Sequence, residues 1–222
     1  MDANKGGNTG TVTIKIEGAL FNSAMQVKLK PVLGGNSIVA NNVTFVNTGK
    51  IFARFDLRQK PIGLYDVELT KLDSSTAILI NGFTIEQGNS GGFYVGGITN
   101  SGQTGSANAP GCDPGAGEGI NQLLQIDVNS PSFARINTPL ILFVNFGNAG
   151  NTDIPIPTKF LISENSVALA LSPSDLVKNE EQLYLEFREF NGPTDVLRAG
   201  ATGSIQIFTG GLPAGISRFV IK

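Results

Sequence analysis

Apolar and polar residues alternate one for one along several stretches of the chain, which predicts half-buried β-strands. In the first half strands are predicted at residues 11–16, 26–30, 51–57, 65–70, 78–80 and 83–86. Asn81-Gly82 separates the last two segments and predicts a turn or a bulge. Breaks rich in Gly, Asn and Ser separate the segments, and no window carries a helical period. The first half is therefore predicted to be an antiparallel β-sandwich.

The second half repeats this character with a longer apolar run, residues 140–146, that is typical of a central strand. Further strands are predicted at 123–128, 159–162, 167–171 and 183–188, and around Ile205, Ile207, Phe219 and Ile221. Pro173–Val177 is predicted to form one helical turn. Short strands at this spacing, separated by turns, predict a second sandwich.

Residues 88–119 differ from both halves because they are rich in glycine. Such a segment buries too little apolar surface to offset its backbone entropy, so it is predicted to be a linker or a long loop. The short run Gly92–Gly96 could instead be a final strand or a plug packed on one domain. The predicted organisation is a sandwich over 1–87, the linker 88–119 and a sandwich over 120–222, with the two halves folding independently after cleavage of the linker.

Composition excludes several classes of function. The 222 residues are 41% hydrophobic, enough for one or two cores, and their net charge of -2 gives no general attraction to nucleic acid or anionic membrane. The chain has no histidine, which excludes Ser-His-Asp and Cys-His machinery and His-ligated zinc. Its single Cys112 excludes an intrachain disulfide and a Cys-rich metal site.

The sequence predicts neither a membrane span nor a signal peptide. No stretch has the roughly 20 apolar residues of a membrane span, so no membrane insertion is expected. The polar start carries no signal-peptide hydrophobic region. We therefore expect either a cytosolic protein or a piece of a larger protein.

Two glycine motifs superficially match functional loops. Residues 88–92 match the G-x-S-x-G nucleophile elbow, but the elbow needs a histidine base and a following helix, and neither is present. Residues 115–119 lack the third glycine spacing and the helix of a dinucleotide-binding loop. Both are interpreted as parts of the linker.

Carboxylates are the remaining chemical resource. A cluster at Glu180, Glu181, Glu186 and Glu189 could in principle supply a glycosidase pair, but solvated strand charge is the favoured interpretation. Calcium prefers oxygen ligands in loops, and the candidates are Asp113, Glu118, Asp127 and Asp153. None forms a dense Asp-x-Asp array, so the expectation is no catalytic residue, no cofactor and no bound metal.

Two further kinds of site would use lysine or aromatic side chains. An intramolecular Lys–Asn isopeptide bond would need a buried lysine, and Lys15 and Lys28, the candidate partners of Asn145, occupy outward positions of their strands. Four outward-pointing aromatic residues could form a weak carbohydrate platform without Trp, although half of them are expected to be interface residues if two domains pack together: Phe52, Tyr184, Phe190 and Phe208.

The first half resembles the IPT/TIG immunoglobulin-like domain over about residues 8–87. Gly10–Phe21 is similar to its "G-x-V-T-I-x-G-x-x-F" opening, Gly63–Leu69 to its "G-x-Y-D-V-x-V" late strand, and Asn81–Ile85 to its "x-x-F-T-V" ending. The resemblance implies that Phe21 fills the core and that Gly63 turns the chain into the Tyr65 strand.

The second half is similar to bacterial immunoglobulin-like domains of the CARDB type. Asn145–Asn151 is like their "x-V-x-N-x-G-N" signature, and Leu197–Ile205 is like their "L-x-P-G-x-x-G-x-I" segment, with Ala199 in place of the usual proline. Both families occur as tandem modules in large bacterial surface proteins.

Together the resemblances imply a non-enzymatic stalk, spacer or adhesion module, located outside the cell or on its surface. Its partners would be neighbouring domains of the same polypeptide, and a surface glycan or protein is an open possibility. The alternative is a glycan- or protein-binding module attached to an exported enzyme, and a hydrolase ranks third.

Overall fold

The computed structural model describes residues 4–88, 98–99, 124–131, 134–215 and 217–222. It is a mainly β protein with 51% strand and several sheets, which confirms the predicted all-β class. In the described parts of the chain the one helix is a 3₁₀ helix at Pro173–Lys178, where a helical turn was predicted. Most of the predicted linker, with the Gly92–Gly96 run and both glycine motifs apart from Gly88, lies outside the described residues.

Eighteen strands are described, most of them at the positions predicted from the alternation. In chain order they are β1 Lys5–Gly7, β2 Thr11–Glu17, β3 Gln26–Pro31, β4 Ile38–Val39, β5 Asn42–Asn47, β6 Lys50–Asp56, β7 Gly63–Thr70, β8 Thr76–Glu86, β9 Ile98–Thr99, β10 Leu124–Asn129, β11 Ile141–Asn148, β12 Ile154–Pro155, β13 Thr158–Ser163, β14 Leu169–Ala170, β15 Gln182–Glu186, β16 Val196–Leu197, β17 Thr202–Thr209 and β18 Arg218–Ile221.

The chain forms two compact units that are not continuous in sequence. Unit 1 consists of residues 1–90 together with 148–155 and 191–201. Unit 2 consists of 91–147, 156–190 and 202–222. Two segments of the C-terminal half, 148–155 and 191–201, therefore belong to the unit built on the N-terminal half, and we call them the covering segments.

Two larger sheets of unit 1 share one apolar core. One sheet has the order β1-β8-β7-β3-β4 and the other the order β2-β6-β5, and the core takes buried side chains from both. The strands pair antiparallel except β1, which runs parallel to β8. Phe21 is buried in this core, as the resemblance implied, and its ring occupies the space that a Cβ on Gly18 would need.

The predicted interruption of β8 is a bulge. Tyr65 of β7 pairs with Phe83 and Val67 pairs with Leu79, so that Ile80, Asn81 and Gly82 all stand opposite Asp66. Asn81 has φ of 53°, in the left-handed region. The strand continues through this irregularity, which is why one strand replaces the two predicted segments.

The two covering segments form a small sheet of their own, in which β12 pairs antiparallel with β16. They lie over the face of β2 and β6 that points away from the core, because Thr13, Phe52 and Arg54 on this face contact residues of both segments. Phe52 was predicted to be exposed and is buried. That prediction was wrong because alternation shows only that Phe52 points away from the core. It does not show that another part of the chain packs over the outer face of the strand.

Unit 2 contains two four-stranded sheets, β10-β11-β17-β14 and β15-β13-β18-β9. β10 alternates between buried and exposed side chains. β11, which the apolar run predicted as a central strand, lies between β10 and β17, but its Ile141 and Phe143 are exposed. The rings of Phe146 and Phe187 pack with their centroids 5.1 Å apart. In the parts of the chain that the structure describes, no helix is long and apolar enough to cross a membrane.

Candidate functional site

The densest polar cluster of unit 1 lies where the covering segments meet β2 and β6. It contains Thr13, Arg54, Asp153 and Asp195, and we call it the Asp153 cluster. Thr13 and Arg54 face each other across the antiparallel pair of β2 and β6, so strand register alone places their side chains together. Asp153 belongs to the first covering segment and Asp195 to the second.

Asp153 accepts three hydrogen bonds. The Thr13 backbone N–H donates to Oδ1 over 3.0 Å, the Thr13 hydroxyl donates to Oδ2 over 2.6 Å, and the Ala199 N–H donates to Oδ1 over 3.3 Å. Burial raises the pKa of Asp153 above its usual value, although these hydrogen bonds and the charge of Arg54 act in the opposite direction. The carboxylate thus joins β2 to both covering segments.

Arg54 continues the network toward solvent. Its Nε donates to the Thr13 hydroxyl oxygen over 3.1 Å, and its two terminal nitrogens each donate to one Asp195 oxygen over 2.7 Å. The hydrogen bond from Arg54 is the largest cause that lowers the pKa of Asp195. This bidentate arrangement fixes geometry well, but the Asp195 side chain is 62% exposed, so solvent screens the attraction.

Arg198 covers the neighbouring position of the same face. Arg198 is only 1% exposed, and its guanidinium carbon lies 5.2 Å from the centroid of the Phe52 ring. Contact of a guanidinium with an aromatic face is favourable, and more so away from water. Arg198 therefore packs the second covering segment onto β6.

Asn148 holds the two covering segments to each other. Its Nδ2 donates to the carbonyl oxygens of Thr152, over 2.8 Å, and Leu197, over 3.1 Å, while its Oδ1 accepts from the Gly150 N–H. Asn148 is the first asparagine of the N-x-G-N motif that carries the resemblance of the second half. The motif has a structural use here: it closes a loop and ties it to the segment around Leu197.

The pair of Thr13 and Asp153 has the residue types of a nucleophile and a base. A nucleophile must reach a substrate, yet Thr13 is 2% exposed and its hydroxyl is shared between Arg54 and Asp153. The arrangement satisfies buried donors and acceptors. It is suited to holding chain segments together.

The described carboxylates that were named from the sequence belong to different strands, loops and units. Glu186 forms an ion pair of 2.6 Å with Arg188 at the surface, as predicted for solvated strand charge, and Glu180 and Glu181 are exposed. Asp127 lies on an exposed position of β10 in unit 2, whereas Asp153 belongs to unit 1. Among the residues that the structure describes, no three Asp, Glu or Cys side chains could hold a metal ion together. Asp113, Glu118 and Cys112 lie outside those residues.

The isopeptide candidates are also dispersed. Lys15 lies in β2 of unit 1, with Glu17 3.6 Å from its Nζ, and Lys28 lies in β3 of the same unit. Asn145 lies in β11 of unit 2. The residues of this hypothetical bond thus belong to different units.

The remaining predicted aromatic positions differ in exposure. Tyr184 and Phe190 are exposed, as predicted, and Phe208 is half-buried. Sequence reasoning missed Phe160, which lies opposite Tyr184 in the pairing of β13 and β15. The two exposed rings pack edge to face with centroids 5.4 Å apart.

Unit 1 also has a surface groove of about 440 Å³ between the loop that follows β3 and the loop that precedes β7. Its apolar lining includes Leu33, Ile62 and Leu64, all of them exposed. The Tyr65 ring borders the groove, but its hydroxyl is used by a hydrogen bond to the Pro61 carbonyl oxygen, over 2.8 Å.

Sequence reasoning named Asp153 for a different purpose and missed Thr13, Arg54, Asp195 and Arg198. A weak signal existed in β6, where the consecutive apolar residues Ile51, Phe52 and Ala53 break the alternation of apolar and polar positions. In comparisons with protein-family models, curated proteins and solved structures, nothing matches this chain.

Proposed function

We propose that the chain is a non-catalytic structural module, two tandem immunoglobulin-like β-sandwiches that act as a stalk, spacer or adhesion segment. It would belong to a large bacterial protein that is secreted or displayed at the cell surface, with neighbouring domains of the same polypeptide as its partners. This is the role implied by the resemblances to the IPT/TIG and CARDB domains.

The observation that carries the proposal is the use made of the Asp153 cluster. Its Thr hydroxyl, carboxylates and guanidinium contact one another and the backbone, and they join β2 and β6 to segments more than a hundred residues away. Polar groups used in this way specify and hold a fold. A module that transmits mechanical force requires such contacts, whereas catalysis requires reactive groups that a substrate can reach.

The topology of unit 1 supports an immunoglobulin-like assignment for the first sandwich. Its larger sheet has β7 and β8, the last two strands before residue 88, beside β3 and β4, and its smaller sheet groups β2, β6 and β5. This matches the division of an immunoglobulin-like sandwich into a GFC-type sheet and a BED-type sheet. The hydrogen bond from Tyr65 to the carbonyl four residues earlier resembles the tyrosine corner of such domains.

Stretching single molecules from both termini tests the structural role. We expect discrete unfolding events at resistant forces, and we expect Asp153→Ala to lower the force of the event that releases unit 1. Asp127→Ala, at an exposed position of β10, is the matched control and should leave every event unchanged. Extension of the wild-type chain without discrete events would contradict the proposal.

One observation favours the alternative of a glycan-binding module attached to an exported enzyme. The exposed pair of Phe160 and Tyr184 places two rings side by side on a sheet, and sugars stack on such rings. A soluble-glycan array separates the two functions, since a spacer should bind nothing. Binding that is lost in Tyr184→Ala and kept in Phe190→Ala would favour the alternative.

A further inference from the structure

The bulge of β8 contains Asn81-Gly82, one of two Asn-Gly pairs in the chain. A glycine after an asparagine removes the side chain that would hinder attack of the following backbone nitrogen on the Asn amide carbon. In a regular strand the ladder holds both residues extended and opposes that attack. Here Ile80, Asn81 and Gly82 fall outside the residue pairing of β7 and β8.

The Asn81 side chain is also accessible and unrestrained, whereas Gly82, which supplies the attacking nitrogen, is buried, so the bulge has to open at Gly82 for the reaction to proceed. Asn81 is exposed, and its side-chain amide makes no hydrogen bond with the residues that the structure describes. Its backbone N–H donates to Asp66 Oδ1 over 2.8 Å, which fixes the backbone on the N-terminal side of the reacting bond. The amide can therefore rotate toward Gly82 while the backbone before it is held.

We propose that Asn81 is a site of spontaneous intramolecular deamidation. The Gly82 backbone nitrogen attacks Asn81 Cγ and loses its proton to solvent, and the amide group leaves as ammonia, which closes a five-membered succinimide ring. Water then opens the ring at either carbonyl. One opening yields aspartate at position 81, and the other yields isoaspartate, in which the backbone runs through Cγ.

Asn179 provides a comparison within the same chain. It is exposed and has φ of 52°, close to the 53° of Asn81, but Glu180 follows it. The two asparagines thus share backbone conformation and exposure and differ in the residue that supplies the nucleophile. Asn191-Gly192 is the same dipeptide in a turn, and Asn191 also has a positive φ. Peptide mapping measures deamidation at Asn191 separately from deamidation at Asn81.

The reaction would change the surface of β8. The product adds a carboxylate beside Asp66, which lies directly opposite the bulge. The strand next to this point carries the exposed apolar residues Ile78, Leu79 and Ile80. Deamidation therefore introduces negative charge next to an apolar strand edge, and charge is one of the features that discourage edge-to-edge pairing.

The test is a time course of the intact chain at neutral pH and warm temperature, followed by peptide mass mapping and an isoaspartate-specific enzymatic assay. We expect the Asn81 peptide to convert at least about tenfold faster than the Asn179 peptide, equal to about 1.4 kcal/mol in activation free energy. Isoaspartate should form in that peptide, with ammonia released in equal amount.

A parallel incubation in denaturant shows what the fold contributes. If Asn81 converts faster than Asn179 in denaturant but not in the folded chain, the strand protects the site and the proposal is wrong. The variant N81G removes the amide and tolerates the positive φ. It should abolish the signal at position 81 and keep that of Asn191, and a residual isoaspartate signal in the same peptide would overturn the assignment.

Discussion

Two regions of unit 1 differ from the usual rule that polar side chains are exposed and apolar side chains are buried. The outer face of β2 and β6 carries Thr13, Lys15 and Arg54, yet Thr13 is buried and its neighbours are half-buried. The end of the β7–β8 hairpin carries Leu72 and the run Ile78–Ile80, all of which are exposed. The polar face is covered by other parts of the chain, whereas the apolar side chains of the hairpin end stay exposed although Val67 and Leu69, opposite this stretch on β7, belong to the core.

The difference shows which structural features the alternation of apolar and polar residues does and does not determine. Alternation separates the two faces of a strand, but whether a face is covered depends on segments elsewhere in the chain. On β2 and β6 the covering segments bring acceptors that match the donors of Thr13 and Arg54. At the hairpin end no described segment lies over Ile80, so its side chain remains in solvent.

The largest expected effect concerns the integrity of unit 1 after cleavage. Proteolysis within residues 88–119 should leave the two fragments associated, because residues 148–155 and 191–201 belong to unit 1. Size-exclusion chromatography should show one peak under native conditions and two after denaturation. Two independently folded fragments that separate without denaturant would show that the halves are autonomous, as the composition of the glycine-rich segment predicts.

Asp153→Ala should be the next most damaging change. It removes the acceptor of two backbone N–H groups and one hydroxyl, and each unsatisfied buried group costs about 1–3 kcal/mol. Some of these donors will recover water, so we expect a loss of about 2–5 kcal/mol in the free energy of unfolding by denaturant. Asp127→Ala should change it by less than about 0.5 kcal/mol.

The ion pair of Arg54 and Asp195 should contribute least. Asp195 is largely exposed, so the pair is expected to stabilise unit 1 by no more than about 1 kcal/mol, measured in a double-mutant cycle. Added salt should weaken this coupling. A coupling that exceeds the loss in Asp153→Ala would reverse the proposed ranking of the two contacts.

The two aspartates should also give pH dependences of opposite sign. The pKa of Asp195 is lowered by Arg54, so its contribution is present above the unfolded pKa of about 3.9 and is lost as pH falls through the lower folded value. Burial raises the pKa of Asp153, so its contribution declines as pH rises from the unfolded toward the folded value. Denaturation profiles of Asp195→Asn and Asp153→Asn should therefore depart from wild type in opposite directions.

Sequence patterns were sufficient for the strands but not for what covers them. Local alternation located β2, β3, β6 and β7, and Asn81-Gly82 marked the bulge. The contact of Thr13 with Asp153 spans 140 positions, and no local pattern specifies such a partner. Asp153 itself attracted notice only as an oxygen ligand in a loop, since a carboxylate that accepts backbone hydrogen bonds looks the same in sequence as one that binds calcium.

The burial of the outer face of β6 is the central claim, and the absence of tryptophan from the chain allows a direct measurement. Phe52→Trp and Ile80→Trp each introduce a single fluorophore, one beneath Arg198 and one at the hairpin end. The account predicts that the indole of the Phe52→Trp variant emits at shorter wavelength and resists acrylamide quenching, whereas the indole of the Ile80→Trp variant emits as in water and is quenched freely. Equal quenching of the two variants in the folded state would contradict it.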